Sequence, residues 1–133
     1  MREILFRGKS RDTNKWVFGD FVSDFCAISH EEYLNEHGDI GYIMTYVIPE
    51  TIGQYTGLTD KNGKKVFEGD IVEFNYIGKN LGVAGVADVV FENGKFGVKW
   101  GNYKEFVCLD GFANTTLEVI GNIHDNPELM KGE

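Results

Sequence analysis

The sequence predicts a mainly β protein, on three observations. Aromatic residues make up 14% of the 133 residues, with ten Phe and six Tyr. Glycine is abundant, at 17, whereas proline occurs twice. The pair Asn93-Gly94 sits between two β-branched and aromatic runs. Phe, Tyr, Val and Ile punctuated by Gly is the composition of short strands joined by tight turns. Five short strands fall within the C-terminal part, which points to a small SH3-like β-barrel, because closure removes exposed edges. The expected organisation is an N-terminal β segment with one short helix over 1–51, packed on an SH3-like β-barrel domain over 52–133.

The first strands are read at 2–8 (REILFRG) and 15–25 (KWVFGDFVSDF), with RDTN as the turn between them. Ser29 then opens S-H-E-E. This is a capping-box pattern, in which the Ser hydroxyl accepts from a backbone N–H one turn on and Glu32 reaches back. A short helix over 30–37 is therefore predicted, stopped by Gly38. Residues 40–48 (IGYIMTYVI) read as a third strand ended by Pro49.

The hairpin at Asn93-Gly94 is the best-specified element. Asn-Gly favours a type I′ turn, whose positive φ angles match the twist of paired strands. Folding there sets Glu92 against Lys95, Phe91 against Phe96, Val90 against Gly97, Val89 against Val98, Asp88 against Lys99 and Ala87 against Trp100. One face collects Phe91, Phe96, Val89, Val98, Ala87 and Trp100 for the core. The other sets opposite charges across the ladder, and a one-residue slip would ruin both faces. Val66–Tyr76 is a further strand with Val72, Phe74 and Tyr76 on one side, followed by strands at Glu105–Leu109 and Leu117–Ile123. Asn126 reads as an N-cap, with Pro127 at the first position of a short helical turn.

The N-terminal and central segments echo each other. FRGKSRDTN-KWVFGDFV (6–22) and YTGLTDKNG-KKVFEGDIV (55–72) both run from an aromatic and Gly through a turn to V-F-(x)-G-D-x-V. Turn-plus-strand segments draw on few residue types, so convergence is the simpler account, and a duplication remains open.

The net charge is −8 and unevenly placed. Residues 1–15 carry +3, and from Trp16 to Asp60 there is neither Lys nor Arg against eight carboxylates. The overall sign argues against unspecific attachment to phosphate backbones. No apolar run approaches the roughly 20 residues that span a bilayer, and MREILFRGKSR lacks the apolar core of a signal peptide. A cytoplasmic protein without a membrane partner is expected. In that reducing setting Cys26 and Cys108 read as small buried hydrophobes rather than a disulfide.

Candidate chemistry is sparse. DKNGKK (60–65) has the look of a calcium loop, but its twelfth position is Ile71 rather than a bidentate Glu, so a turn is the better reading. Cys26, His30, His37 and His124 lack the second short-spaced pair of a zinc site, and no metal or cofactor is predicted. Neither a nucleophile elbow nor a phosphate-binding loop is present. Asn114-Thr115-Thr116 is a glycosylation triplet of no use in the cytoplasm. Two groups stand as binding candidates: the polar cluster Asn122, His124 and Asp125, and the acidic Glu31, Glu32 and Glu36.

ILFRG (4–8), QYTGLTDKNGKKVFEGDIV (54–72), VVFENGKFGV (89–98) and LEVIGNIHDNPEL (117–129) together resemble the YopX family, uncharacterised proteins carried by bacteriophages and prophages. The resemblance covers both ends and the centre of the chain, while 24–48 matches no motif. It implies an SH3-like barrel in the C-terminal part and a phage setting, and implies no activity. The leading expectation is a non-enzymatic accessory protein that binds a protein partner, with homo-oligomerisation left open. The alternatives are a nucleic-acid-binding small β-barrel, which the charge opposes, an enzyme of unrecognised type, and an acidic DNA mimic.

Overall fold

The computed structural model describes residues 3–77, 82–100, 105–109 and 117–130. The chain forms two compact units, Met1–Tyr55 and Thr56–Glu133. Both are built from antiparallel strands, so the mainly β expectation holds.

In the first unit, β1 (Phe6–Lys9) and β2 (Trp16–Val22) form a hairpin, with Lys9 opposite Trp16 and Phe6 opposite Gly19. The turn between them is organised by Ser10, whose Oγ accepts the N–H groups of Asp12 and Thr13 at 3.2 Å each. A 3-10 turn at Ser23–Phe25 leads into β3 (Ala27–Leu34), which pairs with β4 (Ile40–Tyr46). β2 divides its length between partners, since Trp16–Gly19 face β1 and Asp20–Val22 face β3. The core of this unit holds Ala27, Ile28, Val47 and Tyr55. Val47 closes over Gly8, where an added Cβ would come within 2.9 Å of its side chain. Thr51 ties the packing down: its Oγ1 accepts the Lys9 N–H at 2.9 Å and donates to the Ile48 carbonyl at 2.6 Å.

The predicted helix at 30–37 is not formed. Ser29, His30, Glu31 and Glu32 lie within β3, and the chain turns at 35–38 on Asn35. The Asn35 Oδ1 accepts the N–H groups of His37 and Asp39 at 2.8 and 2.9 Å, and Gly38 takes φ +81°. A helix of seven or eight residues is marginal alone. Pairing with β4 satisfies the same backbone groups along a longer ladder.

β5 (Gly53–Thr59) meets β1 through Gly53 and Gln54, and the hydrogen-bonded order on that side reads β4-β3-β2-β1-β5-β6. β6 (Lys65–Phe67) and β7 (Asp70–Ile77) replace the single strand expected at Val66–Tyr76. Gly69, at φ +93°, breaks the run, and the Asp70 carboxylate accepts the Phe67 N–H at 2.7 Å to close the corner.

In the second unit, β8 (Gly82–Glu92), β9 (Lys95–Trp100), β10 (Glu105–Cys108) and β11 (Leu117–Asn122) assemble in the order β10-β9-β8-β7-β11. This order is open, with β10 and β11 at its ends, so the described pairings form no closed barrel. The strand count that suggested closure included the segment of β6, which takes its place beside β5 in the other order. Val66, Val72, Phe74, Ala87, Val89, Val98, Leu109 and Leu117 form the core. Val72 and Phe74 point inward with Glu73 and Asn75 outward, the period-2 pattern of a strand with one buried face. The side chains of Tyr76, expected on one side with Val72 and Phe74, and of Trp100, assigned to the core from sequence, lie outside the described residues, as does the triplet at Asn114.

The Asn93-Gly94 hairpin has the predicted register: Val89–Val98, Val90–Gly97, Phe91–Phe96 and Glu92–Lys95 are opposed, with φ +51° and +78° at the two turn residues. One assignment fails. Phe91 is 49% exposed, although its ring lies 4.8 Å from that of Phe96. Burial on this face fades toward the turn, because Val89 and Val98 are covered by the rest of the sheet whereas Phe91 lies at the hairpin tip. On the opposite face Lys99 pairs with Glu92, at 2.5 Å, rather than with Asp88.

Candidate protein-binding surface

The β3–β4 hairpin runs beyond the part of β3 that β2 covers. β2 pairs with Ala27, Ile28 and Ser29 only, so from His30 onward β3 has a described strand partner on one side alone. The result is a two-stranded arm exposed on both faces. Leu34 is 71% exposed, Ile40 60%, Tyr42 56% and Tyr33 50%, and Ile43 and Met44 also face solvent. Tyr33 lies across Gly41, where an added Cβ would sit 2.4 Å from its ring. A bulge in β3 between Ser29 and Glu31 turns His30 toward β4, and its Nε2 meets the Thr45 hydroxyl at 2.7 Å.

Glu31, Glu32 and Glu36, named from sequence as acidic binding candidates, are all exposed on this arm rather than on a helix. Glu31 stands opposite Ile43 and Glu32 opposite Tyr42, while Glu36 lies in the tip turn, 3.6 Å from the His37 imidazole. At the base of the arm a shallow cleft of about 240 Å³ is lined by Gly19, Asp20, Ser29, His30, Glu31, Glu32 and Tyr42. Three carboxylates and one aromatic ring therefore share one depression with His30, in a stretch without Lys or Arg. Such a site can receive a cationic side chain, by charge and by ring face.

The polar cluster at Asn122 is used internally. The Asn122 Oδ1 accepts the N–H groups of His124 and Asp125 at 3.0 and 2.8 Å, and its Nδ2 donates to the Asp125 carboxylate at 3.1 Å. Asn126 points back to the Asn122 N–H at 3.3 Å, while its carbonyl accepts the Leu129 N–H as Pro127–Met130 turn into 3-10 helix. These are the bonds of a strand-to-helix corner.

Asp60 is used in the same way. Its Oδ1 accepts from the N–H groups of Asn62 and Lys64 at 2.9 Å each, and its Oδ2 accepts from that of Val119 at 3.0 Å. Burial alone would raise its pKa. Those three N–H groups together with the charge of Lys64 outweigh burial and hold it below the usual 3.8. The DKNGKK segment is thus a turn with a buried anchor. No group of three or more His, Cys, Asp or Glu among the described residues is arranged to hold a metal ion. Cys26 and Cys108 are half-buried and not joined in a disulfide, and the Cys26 Sγ lies 3.6 Å from the Val47 carbonyl. No helix among the described residues is long and apolar enough to cross a membrane.

One feature escaped the sequence reading. Arg7 and Lys9 are both buried, and both lie over the ring of Trp16, at 4.4 and 5.6 Å from its centroid. The i, i+2 spacing on β1 and the Lys9–Trp16 register were the available signals. The N-terminal positive charge is therefore partly folded into the first unit rather than displayed.

The fold is similar to a crystal structure of protein EF1440 from Enterococcus faecalis, with a TM-score of 0.64 and 23% identity over 98% of this chain and 100% of that one. No curated protein matches the chain. The model of the YopX protein family matches residues 5–131, nearly the whole length. Because that match takes in nearly all of both units, the chain belongs to the YopX family.

Proposed function

We propose that this chain is a non-enzymatic accessory protein of a phage or prophage, working in the cytoplasm, that binds a protein partner through the β3–β4 arm. The observation that carries this reading is the exposure of Tyr33, Leu34, Ile40, Tyr42, Ile43 and Met44 on one projecting hairpin. Contiguous exposed apolar surface rimmed by polar residues marks interaction sites. The rim here is Glu31, Glu32, Glu36 and Asp39, so a partner with a basic surface is favoured, because opposite charge steers encounter. An SH3-like character of the second unit belongs to this reading as well. Its short antiparallel strands and the family resemblance support it, while the open order of the described strands limits it to a partial barrel.

The test is affinity capture from an induced host lysate. Reversing Glu31, Glu32 and Glu36 to Lys should abolish capture and leave the melting temperature nearly unchanged, since surface substitutions typically change stability by no more than about 0.5 kcal/mol. Capture that survives the triple reversal refutes the assignment. Retardation of duplex DNA by the unmodified protein at physiological salt would favour nucleic acid instead.

A further inference from the structure

The protein-binding reading leaves open how a partner is held, and the edge of β4 addresses it. β4 is the last strand of its order, so one side of its backbone between Ile40 and Thr45 faces no described strand. Exposed edges are normally blunted by charge, proline or a bulge, because unpaired N–H and C=O groups invite another strand. β4 (IGYIMTY) has none of these, and the bulge of the hairpin lies in β3.

We propose that β4 takes up an extended basic segment of a partner protein as an added strand, whose arginine or lysine side chains lie over Tyr42 and reach Glu32 in the acidic cleft. This inference rests on the protein-binding reading above. Main-chain bonds to an edge strand give affinity, and alternate side chains give selectivity. Ile40, Tyr42 and Met44 follow one another at alternate positions, so they share a face and offer an apolar and aromatic track beside the added strand. Behind Tyr42, directly opposite in register, stands Glu32, and both line the acidic cleft. An added strand would lie two strand spacings from β3, about 10 Å, a distance that an extended arginine and a glutamate side chain span between them. A cation there meets a ring face and then carboxylates.

Charge also selects the occupant. A second copy would bring another arm carrying Glu31, Glu32, Glu36 and Asp39 alongside the first, with no Lys or Arg between Trp16 and Asp60 to offset them. A basic segment meets no such repulsion.

The test uses the full chain and a labelled peptide alternating arginine and valine, of about seven residues to match the length of β4. Two controls accompany it: the same peptide N-methylated at every second backbone nitrogen, and one with glutamate in place of arginine. The unmodified peptide should bind at least about tenfold more tightly than either control, because it alone combines strand pairing with charge attraction. Tyr42→Ala and Glu32→Gln should each weaken it, and the amide resonances that shift should be those of β4. Equal binding of the methylated peptide would reduce the effect to charge alone and overturn strand addition, as would no binding at all. A dimer in sedimentation that Ile43→Lys dissociates would assign the edge to a second copy, and would overturn it too. If the peptide fails while the Glu31, Glu32 and Glu36 reversal still abolishes lysate capture, protein binding stands and the added strand falls. If both fail, both readings fall.

Discussion

The Asp60 carboxylate accepts the backbone N–H of Val119 at 3.0 Å, across a sequence separation of 59 residues. One buried side chain thus shapes the turn between β5 and β6 and fastens β11 to it. Asp60→Asn should destabilise the protein by about 1.5–3 kcal/mol near neutral pH, the range for a hydrogen bond to a charged group. The pH dependence has a definite sign. The folded-state pKa is lowered, so this contribution is present above the ordinary value of 3.8 and is lost as pH falls through the folded value. Urea unfolding from pH 7 to pH 2 should show the gap between wild type and Asp60→Asn closing on the acid side.

Phe74 and Phe91 separate core from hairpin tip. Phe74 is 1% exposed within the core cluster, and Phe74→Ala should cost about 3–5 kcal/mol. Phe91→Ala removes a half-exposed ring whose main described neighbour is Phe96, and should cost about 0.5–1.5 kcal/mol. Comparable losses for the two, measured by denaturant midpoint, would contradict the packing.

Two glycines of the same hairpin should fail for different reasons. An added Cβ at Gly94 meets nothing within 4 Å, so Gly94→Ala suffers only from its φ of +78°, about 1–2 kcal/mol. At Gly97 a Cβ would come 2.4 Å from the Val107 carbonyl and 2.6 Å from the Phe106 ring. Gly97→Ala should therefore loosen the β9–β10 ladder, seen as faster amide exchange at Phe106 and Val107, whereas Gly94→Ala should leave those amides protected.

Asn122→Ala tests whether the C-terminal polar cluster is a corner or a ligand site. Losing two accepted bonds and one donated bond should cost about 1–3 kcal/mol and speed amide exchange at His124 and Asp125. A variant as stable as wild type would return Asn122, His124 and Asp125 to the list of binding candidates.

What the sequence made legible depended on whether burial had written a period into it. The hairpin at Asn93-Gly94 was readable because a specific turn pair and alternating Val residues agree on one register. β3 was misread because its outer half is exposed on both faces, so H-E-E-Y-L carries no alternation, and the local S-H-E-E pattern was left to suggest a helix. Residues 30–34 take their conformation from β4, a partner that local pattern cannot supply. The same lack of a covering layer hid the candidate surface. Glu31, Glu32 and Glu36 were named, but Tyr42, Ile43 and Met44 were read only as another strand, since nothing in a single sequence says which strand lies at the edge. The echo between 6–22 and 55–72 does have a structural counterpart. Ser10 and Asp60 each cap their turn by accepting backbone N–H groups, and Asn14 and Gly63, both at positive φ, each precede a Lys.

The placement of β11 has a consequence for the order in which the second unit comes into being. Among themselves, β7 to β10 pair only with sequence neighbours, so each of those ladders can close as soon as its second strand leaves the ribosome. β11 is translated after all of them yet pairs with β7, Leu117 returning to Phe74. Until it arrives, the outer edge of β7 is without its ladder, Phe74 and Val72 lack Leu117 and Val119 opposite them, and the Asp60 carboxylate lacks the Val119 N–H. Long-range pairings of this kind close late, because the loop entropy must be overcome before the contact stabilises anything. During synthesis this unit therefore passes through a stage with an open edge beside incompletely covered apolar side chains, and β11 is the strand that ends its exposure to aggregation.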